Sequence, residues 1–343
     1  MNRILAFGLF TLVFIAALPL AAAQAQNCAL PADYHPDMAP DGAGAPIVIT
    51  VGILVADVTA IDDVGQSLEG DFILRKTWRD PRLARLGGCR LHRSLVWFPV
   101  TDVLNSNQLR RSRGEFGADQ VHIQSSGNVE YYQRFFGSVA TYHNLRDFPF
   151  DSHRMRIRIA MLEYPADRVQ IRLDPQFGGL AALLNIPDWS INGVETTVAE
   201  EIVPEFNTTY SVLYVDILAS RNGQYFVWKV MLPLLLIVLM SFAVFWIEPE
   251  RFGPQIGLAA TSMLTLIAFQ FAMTSMLPKL SYFTLLDQLI LGSTILVFGS
   301  LVEATMTSVL IVKGKTESAL RLDHVCRWLF PTALVAIWTF ILI

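Results

Sequence analysis

The chain has 343 residues, of which 53% are hydrophobic and 16% charged, with a net charge of −4. Ordinary soluble domains carry about a quarter charged residues, so the composition excludes that class, and the weak acidic balance excludes nucleic acid as a partner. Three cysteines are too few for a disulfide-dense secreted module.

The chain opens with Arg3, an apolar run over Ile4–Leu20 and the small residues Ala21-Ala22-Ala23-Gln24-Ala25. A basic start, an apolar middle and an A-x-A-like end predict a signal peptide over 1–25 and export of the chain beyond it. Residues 27–224 hold 18 Lys/Arg and 24 Asp/Glu, whereas 225–343 hold 7 and 6. A polar exported part over 26–224 is therefore expected to precede a membrane part over 225–343.

Residues 27–45, rich in Pro, Gly, Ala and Asp, read as a flexible lead-in. β-Branched, alternating segments come next at Ile47–Val58, Phe72–Trp78, Leu95–Val100, Val121–Ile123 and Val129–Phe136, then at Arg154–Ile159, Val169–Leu173, Val194–Ile202 and Ser211–Ala219. Turn signals such as Ser126-Gly127-Asn128 and Asp174-Pro175 separate them. Many short strands at this spacing predict a β-sandwich. Arg154-Met155-Arg156-Ile157-Arg158-Ile159 alternates charge outward and apolar inward. An oxidising compartment would let Cys28 and Cys89 pair, and the sequence leaves that open. His143 and His153 read as ordinary structural or surface residues.

Four apolar stretches, 226–247, 254–277, 283–312 and 325–343, approach the roughly 20 residues that cross a bilayer. Arg251 lies between the first two, and Lys313, Lys315, Arg321 and Arg327 lie between or beside the last two, so these linkers are expected on the cytoplasmic side. Asp287 and Glu303 inside the third stretch read as helix-packing hydrogen bonds. The second stretch carries Gly257, Thr261, Ser262, Thr265 and Ala268 at helical spacing, interrupted by Leu264 and Phe271. A small, hydroxyl-bearing stripe serves either close helix packing or the lining of a water path. No G-x-S-x-G, C-x-x-C, H-x-x-x-H or phosphate-cradling Gly-rich loop occurs, so no catalytic residue, metal site or cofactor is expected.

Specific words accompany this order of parts. Phe148-Pro149-Phe150-Asp151-Ser152-His153 resembles the F/Y-P-F-D-x-Q signature loop of pentameric ligand-gated ion channels, the Cys-loop receptor superfamily. The two flanking cysteines of animal receptors are missing, as in bacterial members, and His153 stands where Gln is usual. Trp78-Arg79-Asp80-Pro81-Arg82-Leu83 is similar to the W-x-D-x-R-L motif, and Trp97-Phe98-Pro99 to W-x-P. Arg221 with Tyr225 and Pro233, the run Pro254–Thr265, and Pro278-Lys279-Leu280-Ser281-Tyr282 look like the entry to the first span, the pore helix and the linker after it. The short connection between the third and fourth spans also resembles prokaryotic members.

The resemblance implies a β-sandwich extracellular domain followed by a four-helix transmembrane bundle in a cyclic homopentamer, each chain partnered by four identical subunits in the lipid bilayer of the inner membrane, with its N-terminal domain in the periplasm or extracellular space. It implies a ligand-gated channel, not an enzyme, opened by a small-molecule agonist or protons and passing inorganic ions. Gly257, Thr261, Leu264, Ala268 and Phe271 would line the pore, with Leu264 as its mid-pore apolar girdle. Glu248, Glu250 and Arg251 would set charge at the inner mouth; Pro254 and Gly257 look like anion-selective relatives, while a ring of glutamates would draw cations. Asp62, Asp63, Phe148, Pro149, Phe150, Asp151, Arg221, Pro278, Lys279 and Tyr282 would form the gating interface. The agonist site would lie between neighbouring ectodomains, with the segments near Val100–Asn105, Glu163-Tyr164 and Phe206–Tyr210, hence Tyr164, Phe206 and Tyr210, on one side and Trp78 and its strand on the other; rings there can hold a cation. The competing reading is a non-conducting, membrane-anchored β-sandwich sensor or adhesin.

Overall fold

A computed structural model of the chain describes residues 28–40, 44–111, 119–182, 184, 186–248, 250, 252–274 and 280–342. The predicted signal peptide, Arg251, Pro278 and Lys279 lie outside the described residues.

Period-two alternation produces two sheets. The larger orders β10 (Gly179–Leu180), β1 (Ile47–Asp62), β2 (Ser67–Arg79), β7 (Asn128–Ala140), β6 (Gln120–Ile123) and β3 (Arg90–His92), with β5 (Arg110–Arg111) on β7 and β9 (Val169–Leu173) on β1. The smaller orders β11 (Trp189–Val203), β12 (Thr208–Arg221), β8 (Ser152–Ala160) and β4 (Asp102–Val103). Inward residues of both sheets, including Phe72, Leu74, Ile157 and Val215, share one apolar core, so this part is a sandwich. On β8, Met155, Ile157 and Ile159 are buried and Arg154 and Arg156 exposed, as the alternation predicts.

Two expectations are corrected here. Leu95–Val100 is no strand: a 3-10 turn covers Arg93–Leu95, and pairing begins only at Asp102. Its backbone groups are engaged elsewhere, since Trp97 N donates to Tyr34 Oη at 2.9 Å and Pro99, which has no N–H, offers its carbonyl to Lys76 Nζ. The lead-in is anchored rather than loose. Cys28 is joined to Cys89 by a disulfide, and buried Tyr34 donates to Asp80 Oδ2 at 3.0 Å. Cross-links of this kind contribute roughly 2–4 kcal/mol by restricting the unfolded chain.

The Trp78-Arg79-Asp80-Pro81 motif makes a corner. Asp80 is fully buried, caps the 3-10 turn Pro81–Leu86 by accepting from Arg82 N, and takes the Arg82 guanidinium at 2.8 Å. Gly127 adopts φ +78°, and a Cβ there would stand 2.3 Å from the Asp80 carbonyl, so this corner requires glycine.

Among the described residues, four helices follow that are long and apolar enough to cross a membrane: α1 (Gln224–Trp246), α2 (Phe252–Thr274), α3 (Leu285–Val312) and α4 (Thr316–Leu342). Val227–Met231 within α1 is π-helical, and its last turn, Ala243–Trp246, is 3-10. α3 and α4 approach closely: a Cβ on Gly292 would meet Ile337 Cγ2 at 2.8 Å. Asp287 is not a mid-helix packing group. It forms a capping box with Thr284 at the start of α3, accepting from Thr284 N at 2.9 Å while Thr284 Oγ1 accepts from Asp287 N. Glu303 is buried within α3 and accepts from Thr307 Oγ1 at 2.8 Å.

Candidate functional site

The end of β12 delivers Arg221 to the loop between β7 and β8, just before α1 begins. Arg221 Nε and Nη2 donate to Asp151 Oδ1 and Oδ2 at 2.8 and 3.1 Å, and Nη2 also reaches Asp63 Oδ2 at 2.8 Å. Its guanidinium lies 4.1 Å from the Trp189 ring centre and 4.8 Å from that of Phe148. The side chains of Arg221 and Asp151 are only 6% and 1% exposed. Burial alone would push the Asp151 carboxyl up; hydrogen bonds from His153 and Arg221 outweigh it and hold the group at about 2.

The loop also grips the helices. Phe148 is buried and packs edge-on against Phe226 at 4.7 Å, and a cis peptide joins it to Pro149. The carbonyls of Arg146 and Phe148 accept from Leu285 N and Leu286 N, two of the unpaired N–H groups at the start of α3. Tyr282 Oη accepts from Leu145 N at 3.0 Å. These main-chain bonds were not foreseen; the Thr284–Asp287 spacing, a helix-start signal, was the sequence clue to where α3 begins. Phe150 stays half exposed, its ring 2.9 Å from where a Cβ on Gly223 would lie. Asp62 does not join the junction: its Oδ1 accepts from Val64 N and Gly65 N at 2.9 Å, closing the β1–β2 turn, and only Asp63 reaches Arg221. His143 and His153 are not surface residues. Both are buried, and their rings stack at 5.2 Å.

On α2, Gly257, Thr261, Leu264, Ala268 and Phe271 are all exposed along one face, Leu264 at 68% and Phe271 at 74%. Thr261 Oγ1 donates to the Gly257 carbonyl and Thr265 Oγ1 to the Thr261 carbonyl, both at 2.8 Å, so each donor is spent within the helix. Ser262 departs from the expected stripe. It is fully buried and bonds the Leu258 carbonyl, facing the bundle with Ala259 and Leu266. The single stripe read from sequence is thus two faces, one inward and one outward. Glu248 and Glu250 are exposed in the α1–α2 connection.

The two sides expected of the agonist site differ in what they expose. Trp78 is a core residue at 3% exposure, packed edge-on against Trp97 and Phe98, and cannot offer its ring to a ligand. Its inward parity on β2 follows from the alternation Phe72, Leu74, Lys76, Trp78. Tyr210 is buried with Ala160, Val203 and Val212. Phe206 is exposed and packs edge-on against it at 6.2 Å. Tyr164 is half buried and accepts from Trp97 Nε1 at 2.9 Å. Leu104 and Leu162 pack on the Tyr210 cluster, so the three segments expected around the site do converge there.

Two residues escaped sequence reasoning. Lys76 is fully buried, its Nζ 3.8 Å from the Phe98 ring centre and donating to Thr101 Oγ1 at 3.0 Å. Burial, reinforced by the charges of Arg111 and Arg93, holds that ammonium well below the usual lysine range. A lysine at inward parity was the available signal. Tyr214 donates to Glu201 and carries the Arg156 guanidinium 4.8 Å above its ring.

Residues 27–222 match the model of the neurotransmitter-gated ion-channel ligand binding domain, and residues 230–319 that of the neurotransmitter-gated ion-channel transmembrane region. The chain is 24% identical over 280 residues to a gamma-aminobutyric acid receptor subunit beta of Caenorhabditis elegans, covering 79% of this chain and 50% of that protein. It is 25% identical over 289 residues to the subunit of the same name from Lymnaea stagnalis, covering 79% and 57%. The chain spans about half the length of these curated relatives. Two adjoining family models, matched in order across the sandwich and into the helical bundle, make this chain a member of the neurotransmitter-gated ion-channel family.

Proposed function

We propose that the chain is a subunit of a ligand-gated ion channel of the prokaryotic kind, and not an enzyme. Five identical copies enclose a path lined by α2. The observation that carries this is the continuous exposed face of Gly257, Thr261, Leu264, Ala268 and Phe271 on a helix whose opposite face packs into the bundle. Cyclic symmetry turns each of these residues into a ring. A ring of Leu264 side chains closes the path by excluding water, because an ion cannot shed its hydration among isobutyl groups. Thr261 and Gly257 line the narrower inner half, and Phe271 forms a second constriction. The three-residue α3–α4 linker, Lys313-Gly314-Lys315, and a signature loop without flanking cysteines support the prokaryotic assignment.

The ectodomain lies outside the inner membrane and takes a small-molecule agonist, or protons, between neighbouring subunits. Its surface there is built from Phe206, Tyr164 and the segment near Leu104, not from Trp78. A ligand opens the channel by binding the open state more tightly than the closed one. Arg221, held by Asp151 and Asp63 and resting on Phe148, links the sandwich to the loop that seats on α3, so movement of the β1–β2 turn reaches the helices. Because the named relatives are gamma-aminobutyric acid receptor subunits, that amino acid and other small amines are the first agonists to apply.

The test is recording from purified protein in planar bilayers, with a salt gradient, across small amines and pH. Agonist-evoked current and a several-fold rise in agonist-independent leak in Leu264→Ala are expected. Reversal potentials then report whether the path selects cations, as Glu248 and Glu250 would favour, or anions, as the resemblance at Pro254 and Gly257 implies. No current under any condition, together with no added leak in Leu264→Ala, would leave the anchored-sensor reading in place.

A further inference from the structure

The junction holds more ionisable groups than the Arg221 pair. Around it stand Asp63 from the β1–β2 turn, His143 from the segment after β7, Asp151 and His153 from the signature loop and the start of β8, and Arg221 from β12. The side chains of all five are at most 16% exposed. Asp62, turned out to close the hairpin, and Asp188, which lines the cavity beside Asp63 and Arg221, are the flanking charges. With both imidazoles neutral, two carboxylates face one guanidinium, and the buried group carries one uncompensated negative charge. Burying a charge without compensation is costly.

The hydrogen bonds are unevenly shared between the carboxylates. Asp151 accepts from Arg221 twice and is paired with His153 Nε2 at 2.5 Å. Asp63 accepts from Arg221 through Oδ2, while its buried Oδ1 has no hydrogen-bond partner among the described residues. Facing that oxygen at 3.4 Å is His143 Nδ1, also buried and without a hydrogen-bond partner among the described residues. The other ring nitrogen of His143 is 2.8 Å from Thr141 Oγ1, which can accept as well as donate, and the His143 main-chain N–H donates to Gln66 Oε1 at 2.7 Å.

We propose that His143 is a single-proton site regulating the junction: its imidazolium donates to Asp63 Oδ1 and Thr141 Oγ1, balances the buried charge and clamps the β1–β2 turn to the signature loop. Imidazole is the side chain that ordinarily changes charge near neutral pH. A second proton on His153 is opposed, because two imidazolium rings would then stack at 5.2 Å. Loss of the proton leaves Asp63 held by Arg221 alone and loosens the turn. The proposal rests on the channel reading only for the consequence to gating; the proton site itself is read without current.

The experiment tracks thermal stability of the full chain in nanodiscs between pH 5 and 9, and half-activating agonist concentration where current is obtained. The wild type is expected to lose stability as pH rises, with the linkage of one proton, so that no linked constant changes more than about tenfold per pH unit. His143→Gln should flatten this profile and His153→Gln should keep it. Asp63→Asn removes the excess charge and should also flatten it, which decides the matter if His143→Gln fails to fold. A wild-type profile retained in His143→Gln or in Asp63→Asn, no pH dependence in the wild type, or a two-proton slope would overturn the proposal. Altered profiles without any current would sink the channel reading and leave the proton site standing; current with unaltered profiles would do the opposite.

Discussion

Arginine–carboxylate pairs occur at both the junction and the smaller sheet, and their surroundings make them different objects. On the smaller sheet, Arg154 bridges Glu195 and Asp216 at 2.7 and 3.0 Å, and Arg156 binds Asp216 at 2.7 Å. Arg154 and Glu195 are each 52% exposed, so water and salt screen that pair, while Asp216, itself buried, is held by two half-exposed arginines. At the junction, Arg221 and Asp151 meet at 2.8 Å with almost no exposure, between Trp189 and Phe148. There each charge depends on its partner, because neither can return to water. The same chemistry therefore decorates one surface and fastens two structural layers at the other.

Three measurements break or sharpen this contrast. Arg221→Ala should cost roughly 3–5 kcal/mol in chemical denaturation and, on the proposed channel reading, abolish agonist-evoked current without changing the elution volume on size exclusion. A loss below about 1 kcal/mol would put the junction in the same class as the exposed pairs of the smaller sheet. The next effect is acid sensitivity. Asp151 sits at about 2, below its ordinary 3.8. A depressed carboxyl contributes stability that is complete above the ordinary value and is lost as pH falls through the folded one. A contribution on the order of 2 kcal/mol should therefore fade between pH 4 and pH 2. Asp151→Asn should lack that part of the acid-unfolding slope; an unchanged slope would show that other carboxylates dominate. The smallest effect belongs to Glu195→Ala, expected below about 1 kcal/mol and vanishing at high salt. A larger, salt-insensitive loss would mean that this face is covered in the assembly.

Alternation on β2 and β8, the charge partition at residue 224 and the four apolar runs were legible in the sequence, because periods of 2.0 and 3.6 and a bilayer's thickness act on contiguous residues. The Asp151–Arg221 pairing followed from resemblance to family motifs rather than from local pattern. What escaped was each feature in which distant segments compete for one group. The backbone of Leu95–Val100 was claimed by Tyr34 and Lys76 before a neighbouring strand could pair with it. The lead-in looked loose by composition until Cys89 and Asp80 held it.

By itself the sequence determined a sandwich followed by four spanning helices, since hydrophobic periodicity dictates which local structures can bury their apolar faces. Only the tertiary structure decided that Ser262 faces inward while Thr261 and Leu264 face outward, that Trp78 is core, and that two histidines stack over a carboxylate pair. Those outcomes depend on how separate elements dock. Docking selects among faces that the chain's local pattern leaves equivalent, and it sets which buried charges find partners.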